Sequence, residues 1–255
     1  MNKKIILIIA KFFSCFWLVF PSKFRRFIFT CFFILESRDN NPKKSIKNLF
    51  LIKDKIDWII NERALKFGKG VHPKHNLTNY HKFFIDRINN GEKVLDVGCG
   101  NGSVSISVAK ELHNSVVIGI DKDEENISFA KKKLKKKNLK NLFFLHGDIN
   151  DQSGIKSDVV ILSNVLEHIE NRTLFLKKIQ ILTGAKKFLI RVPYFKREWQ
   201  VAFRKQLGVY YFSDRDHKIE HTLEELKKEL NDANLSIEET ITIWGEIWTK
   251  CNYEL

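Results

Sequence analysis

The stretch EKVLDVGCGNGSVSISVA, residues 92–109, constrains this chain more than any other. A short apolar run runs straight into Gly98, Gly100 and Gly102, and a helical pattern begins at Ser103. A strand, a tight glycine turn and a helix in that order are half of a βαβ unit, and such a unit demands a parallel sheet with helices against it. The following residues keep that rhythm. Residues 93–97, 116–120, 142–146, 159–162 and 188–192 read as five short apolar strands, with helical patterns over 103–112 and 124–137 between the first of them. Near the end, TLEELKKELNDANL opens on a capping box, Thr222 with Glu225 three positions on, and predicts a helix. SIEETITIWGEIWTK predicts two strands turning near Gly245, a hairpin for the sheet edge. The expected fold is α/β, a Rossmann-like doubly wound sheet closed by that antiparallel hairpin.

The N-terminus has a different character. IILIIAKFFSCFWLVF (residues 5–20) is apolar but for Lys11 and Ser14; PSKFRR follows, then FIFTCFFIL. Each run is shorter than the roughly 20 residues a spanning helix needs. No small-residue cleavage site follows the first run, which ends in Phe20-Pro21-Ser22-Lys23, so a removed signal peptide fits poorly. A single-pass helix requires Lys11 to snorkel or to face protein. An in-plane helix or hairpin with Lys23, Arg25 and Arg26 at the headgroups suits the mixture of aromatics and cations better. A helix packed on the domain itself is the remaining reading. The expectation is therefore a helical apolar extension over 1–40, membrane-associating and ending in a polar linker around ESRDNNPKKS. A helical lead-in over 41–90 is expected to cover the active site, ahead of the main domain over 91–255.

Lys and Arg outnumber Asp and Glu by 44 to 30, a formal charge of +14, which favours anionic partners such as a membrane surface, phosphorylated substrates or nucleic acid. The densest cluster, KKKLKKK, fits a solvated helix face, and no aromatic-rich basic stripe accompanies it, so nucleic acid is not expected. Cys15, Cys31, Cys99 and Cys251 have neither metal-site spacing nor a disulfide framework, which points to a reducing compartment.

The glycine loop then has to be matched to a ligand. The dinucleotide fingerprint G-x-G-x-x-G/A would put its third small residue at Ser103, and the phosphate loop G-x-x-x-x-G-K-S/T is absent. What remains is an acid, Asp96, two residues before the first glycine. That combination suits S-adenosylmethionine: the cofactor carries no phosphate, and it needs close backbone beside its methionine part and a carboxylate near its ammonium and sulfonium charges. Asp121 ends the second strand at the carboxyl edge, where it can accept both ribose hydroxyls, although NAD would use such an acid equally. Asp148 ends the third strand and can accept the adenine amino group, with Ile149 against the ring.

On these residues the chain, over about 90–245, resembles the class I S-adenosylmethionine-dependent methyltransferases, in particular the small-molecule, type 11-like branch with LDVGCGxG loops. The resemblance implies that Asp96, Gly98, Gly100, Gly102, Asp121, Asp148, Ile149 and Asn164 hold the cofactor, whose spent form is S-adenosylhomocysteine. SNVLEHIEN (163–171) matches the segment that flanks the methyl group in that family. The implied sheet has seven strands. A weaker similarity of LKFGKGVHPKHNLTNYHKFF, RVPYFKREWQ and WGEIW to methyltransferases of surface-carbohydrate and glycolipid biosynthesis implies O-methylation of a sugar, glycolipid or other small acceptor.

Methyl transfer to a hydroxyl needs a base, and a histidine is the economical one. His168, just after the fourth strand, is the candidate, against a packing role in LEHI. His72, His75, Tyr80 and His81 form a second cluster in the segment expected to cover the cofactor, and Tyr194, Arg197 and His217 lie in the insertion after the fifth strand; these seven are candidate acceptor contacts, with ordinary loop packing as the alternative. HKIEH (217–221) mimics an inverted zinc-protease motif. That motif needs both histidines on one helix, and the capping box starts the helix only at Thr222, so no metal is expected. The placement expected is the cytoplasmic side of a membrane, peripheral or single-pass. Two rivals stay open: a catalytically silent cofactor-binding partner protein, and a nicotinamide-dependent oxidoreductase.

Overall fold

A computed structural model describes residues 3–69 and 72–254. The chain divides into two compact units, Met1–Ala64 and Leu65–Leu255.

The first unit is helical. Helices α1 (Lys3–Val19) and α2 (Ser22–Ser37) are separated at Pro21, whose ring fixes φ and whose missing N–H cannot continue α1. Aromatic rings bridge the two: Trp17 and Phe29 meet at 5.5 Å, and Phe20 and Phe24 at 5.3 Å. No residue of α2 is buried, and Phe12 (82% exposed), Phe16 (70%), Phe27, Phe32 and Leu35 stand out from this pair. Among the described residues no helix is long and apolar enough to cross a membrane. The polar linker expected over 36–45 contracts to residues 38–41, because α3 (Pro42–Phe67) starts at once: Asn41 Oδ1 accepts from the Lys44 N–H, and Pro42 fills the first helical position, where an N–H would have no partner anyway. The helix crosses into the second unit at its last residues.

That second unit opens with two single-turn helices, α4 (Lys74–Thr78) and α5 (His81–Ile85). Then β1 (Lys93–Val97), α6 (Ser103–Glu111), β2 (Val116–Asp121), α7 (Glu124–Lys135), β3 (Leu142–His146), β4 (Val159–Ser163), α8 (Arg172–Thr183) and β5 (Lys187–Pro193) follow as the alternation predicts. After α9 (Trp199–Leu207) come α10 (Leu223–Asp232) and the hairpin β6 (Leu235–Ile243) and β7 (Glu246–Tyr253). The capping box is formed: Thr222 Oγ1 accepts from the Glu225 N–H at 3.1 Å, and the Glu225 carboxylate accepts from the Thr222 N–H at 2.8 Å.

The seven strands lie in the order β3-β2-β1-β4-β5-β7-β6, parallel except where β7 enters antiparallel between β5 and β6. Side-chain alternation gives the central strands β1, β4 and β5 two buried faces. Leu95, Val160, Leu162, Phe188 and Ile190 pack with Leu176 and Ile179 of α8 and Leu226 and Leu230 of α10. Val94, Val159, Ile161 and Leu189 pack with Phe84, with Val104 and Val108 of α6, and with Trp248. Strand order reverses between β1 and β4, and in open α/β sheets that reversal leaves a crevice at the carboxyl ends of the strands.

Candidate active site

The crevice is built from the ends of β1, β2 and β4. After Val97 the backbone takes positive φ at Gly98, Gly100 and Gly102. Two of these glycines are compelled by contact. A Cβ on Gly98 would lie 2.8 Å from Val165 Cγ2, and one on Gly102 would lie 2.4 Å from the Phe144 ring. A Cβ on Gly100 would meet nothing within 4 Å, so that backbone faces open space. The loop is tied to β2 by Asp121: its Oδ2 accepts the Gly100 N–H at 2.7 Å and its Oδ1 the Asp123 N–H at 2.9 Å, while the Cys99 N–H donates to the Ile120 carbonyl.

Asp96 lies beneath the loop. It is 1% exposed and accepts the Ser105 hydroxyl of α6 at 2.5 Å. Burial pushes its carboxyl up to about 7; the Ser105 hydrogen bonds oppose that rise and the Asp121 charge adds to it. Asp148, exposed after β3, caps a single 3-10 turn by accepting the Asn150 N–H at 2.8 Å, and Ile149 beside it is buried. Asn164, with φ of 59°, ends β4; its Oδ1 accepts from Arg191 Nε at 2.6 Å and its N–H donates to the Arg191 carbonyl. The cofactor candidates named from the sequence thus line the carboxyl edge in strand order.

Arg191 is a site residue that the sequence reading passed over. It breaks the apolar run of β5, and strand alternation puts its side chain on the same face as Leu189. Its guanidinium lies 4.2 Å from the centre of the Tyr80 ring and 5.3 Å from that of Trp248, with Glu246 Oε2 at 3.4 Å from Nε. Tyr80 sits edge-on to His81 at 4.2 Å and beside His75 at 5.2 Å. Burial, with positive charge nearby, lowers His75 and takes His81 down to about 4, so His81 is neutral at physiological pH. His81 Nδ1 lies 2.7 Å from Ser107 Oγ, whereas its Nε2 is buried without a hydrogen-bond partner. His72 lies just before α4, its Nδ1 accepting the Lys74 N–H.

His168 and His217, far apart in sequence, meet with ring centres 4.7 Å apart. The Lys218 N–H donates to the Glu167 carbonyl at 2.7 Å and holds the 213–221 segment against the end of β4. Glu167 is wholly buried, and neither carboxylate oxygen has a hydrogen-bond partner. Burial drives its carboxyl up to about 8, with only partial relief from the Arg191 charge. Tyr194 and Arg197 serve the same segment. The Tyr194 N–H donates to the Gly245 carbonyl, and Arg197 pairs with buried Glu220 while donating to the Tyr194 and Tyr211 carbonyls. Arg197 therefore fastens the insertion internally. His221 turns away from His217: its Nε2 lies 3.0 Å from Glu229, which Arg172 also grips at 2.6 Å. The HKIEH histidines therefore point to different partners.

A family model described as a methyltransferase domain matches residues 88–253. The probable (S)-tetrahydroprotoberberine N-methyltransferase 2 of Papaver bracteatum is 31% identical over 102 residues, 39% of this chain and 28% of that protein. A ribosomal protein L11 methyltransferase of Thermotoga neapolitana is 31% identical over 154 residues, 56% of each chain. The match thus spans between about a quarter and just over half the length of these curated relatives. Among solved structures, a SAM dependent methyltransferase from Aquifex aeolicus aligns with a TM-score of 0.53 and 18% identity over 70% of this chain and 92% of its own. Magnesium protoporphyrin IX methyltransferase of Synechocystis PCC 6803, solved with bound SAH, aligns with a TM-score of 0.53 and 17% identity over 97% and 99%. At those identities the likeness is one of fold.

Proposed function

This chain belongs to the methyltransferase-domain family, and from that premise we propose that it transfers the methyl group of S-adenosylmethionine to an oxygen of a sugar, glycolipid or similar small acceptor at the cytoplasmic face of a membrane. The observation that carries the cofactor assignment is the glycine loop with its open Gly100 backbone, held between Asp96 and Asp121. Gly98–Gly102 and Asp96 would hold the methionine part. Asp121 keeps free lone pairs for the ribose hydroxyls after accepting its two backbone N–H groups. Ile149 and Asp148 would receive the adenine ring and its amino group. Bound S-adenosylmethionine supplies a methyl carbon activated by its sulfonium. The chain's residues then have to align the acceptor, exclude water and take up its proton.

The half-buried His75 and neutral His81, backed by the buried stack of Tyr80 and Arg191, offer imidazole faces and edges to a polar ring such as a sugar. The acceptor proton leaves toward His168, beside β4. Membrane attachment is supported by the exposed aromatic faces of α1 and α2, with Lys11, Lys23, Arg25 and Arg26 available to anionic headgroups. The described cysteines Cys31, Cys99 and Cys251 are free thiols, which suits a reducing compartment.

The test is calorimetric titration of the full chain with S-adenosylhomocysteine and, separately, with NAD. Micromolar binding of the former, lost in Asp96→Ala and Asp121→Ala and absent for NAD, is the expected result. A folded protein that ignores S-adenosylhomocysteine, or prefers NAD, overturns the assignment. Transfer of labelled methyl into a pooled lipid and sugar extract then separates an enzyme from a silent cofactor-binding partner.

A further inference from the structure

Glu167, His168 and His217 bring one carboxylate oxygen and two imidazole nitrogens within 4.8 Å of one another at the end of β4, the one such group among the described residues. The second observation is independent of that spacing. Glu167 is 0% exposed, and neither of its carboxylate oxygens receives a hydrogen bond. A buried carboxyl without donors is costly unless a cation or a proton answers it. The nearby guanidinium is committed elsewhere: Arg191 Nε is 2.6 Å from Asn164 Oδ1 and 3.4 Å from Glu246 Oε2. Each histidine also has a carboxylate beside its Nδ1. Asp216 Oδ2 is 3.2 Å from His168, and Glu220 Oε1 is 3.6 Å from His217. Metal-binding imidazoles are oriented by such neighbours.

We infer that Glu167, His168 and His217 form a binding site for a divalent transition cation beside the methyl-transfer crevice. Tetrahedral ligand bonds of about 2.0–2.2 Å place two donor atoms about 3.3–3.6 Å apart, so the three atoms, now within 4.8 Å of one another, close on an ion by rotamer shifts of up to about 1.5 Å. Two imidazoles and one carboxylate suit zinc, manganese, cobalt or ferrous iron rather than magnesium or calcium, and leave coordination positions open. The cluster follows Val165, the side chain that a Cβ on Gly98 would strike, by two residues in the chain.

Resting on the methyltransferase reading, the cation would bind the acceptor oxygen and lower the pKa of its hydroxyl. The O–H proton leaves to solvent. The oxygen lone pair forms the new bond to the methyl carbon, and the C–S electron pair returns to sulfur. With the ion bound, His168 would serve as its ligand in place of the role of base given to it above.

The experiment is titration of the full chain with Co2+, read by the ligand-field absorption of an imidazole-bound ion, with S-adenosylhomocysteine calorimetry run on the same samples. One equivalent is expected to bind. Glu167→Gln and His217→Gln should each weaken binding about a hundredfold or more while still taking up S-adenosylhomocysteine, which certifies the fold. Absence of a saturable one-equivalent signal in the wild type, or an undiminished signal in both variants, overturns the inference. Should the wild type fail to bind S-adenosylhomocysteine, the methyltransferase reading falls by itself, and melting curves then certify the fold while the Co2+ result is read on its own terms.

Discussion

Asp96 makes cofactor affinity depend on pH in a direction that its surroundings fix. In the free protein its carboxyl stands at about 7 because it is buried, with Ser105 as its hydrogen-bond donor and the Asp121 charge nearby. If the charged form is what holds the cationic methionine part, binding below that value must first displace a proton. The affinity then falls by about tenfold between about pH 8 and about pH 6, or about 1.4 kcal/mol, and close to one proton is released per molecule bound at the lower pH. Calorimetry with S-adenosylhomocysteine in buffers of different ionisation enthalpy measures both quantities. Asp96→Asn should bind weakly and with no such slope, which separates Asp96 from titration of the ligand itself. The sign for stability runs the other way. A carboxyl raised from 3.8 contributes stability that is fully present below that value and is lost as pH rises through about 7. Free Asp96→Asn should therefore melt later than the wild type at about pH 8, by an amount on the order of 4 kcal/mol, and the two should converge near pH 4. A wild-type affinity that is flat from pH 6 to 8, or a variant that melts earlier at alkaline pH, refutes the reasoning.

Other outcomes follow from the same geometry. Gly102→Ala places a Cβ against the Phe144 ring at a φ of 74°, and should cost about 1–3 kcal/mol in a denaturant titration. Arg172→Met leaves Glu229 with His221 alone in a half-buried setting and should destabilise by about 2–3 kcal/mol, measured the same way. The full chain should sediment with anionic vesicles and a chain starting at Lys43 should stay in the supernatant; if both remain soluble, α1 and α2 are not an anchor.

The parts of the fold that could be read from sequence were those whose signals are local. Five apolar runs, a capping box at Thr222 and a glycine turn at 245 each announce themselves within a few residues, and the parallel sheet with its antiparallel hairpin follows from them. The same holds for Asp96, Asp121 and Asp148, because an acid at a strand end belongs to the carboxyl edge wherever the strand goes. The boundary of α3 was also local, but Asn-Asn-Pro suggests a linker and a helix start equally, and the structure takes the second.

What sequence left hidden depends on sheet register. Arg191 in FLIRVP carried a visible flag, a charge inside an apolar strand, yet its importance comes from Tyr80, Asn164, Glu246 and Trp248, four partners from three separate segments. Parallel pairing sets Ser163 against Arg191, and antiparallel pairing sets Trp248 on its other side. Glu167 gives no local sign at all: LEHI reads as ordinary packing until the carboxylate is found buried without a donor. The two histidines of HKIEH illustrate the point most fully. Their spacing advertised a shared ligand, but the chain between Tyr211 and Thr222 has no helix or strand, so spacing there fixes no direction. One backbone hydrogen bond, from Lys218 to Glu167, brings His217 to His168, and one carboxylate, Glu229, takes His221 away. The chemistry open to each histidine is set by the strand end or helix to which its loop is tied, so it can be read only after the sheet has been assembled.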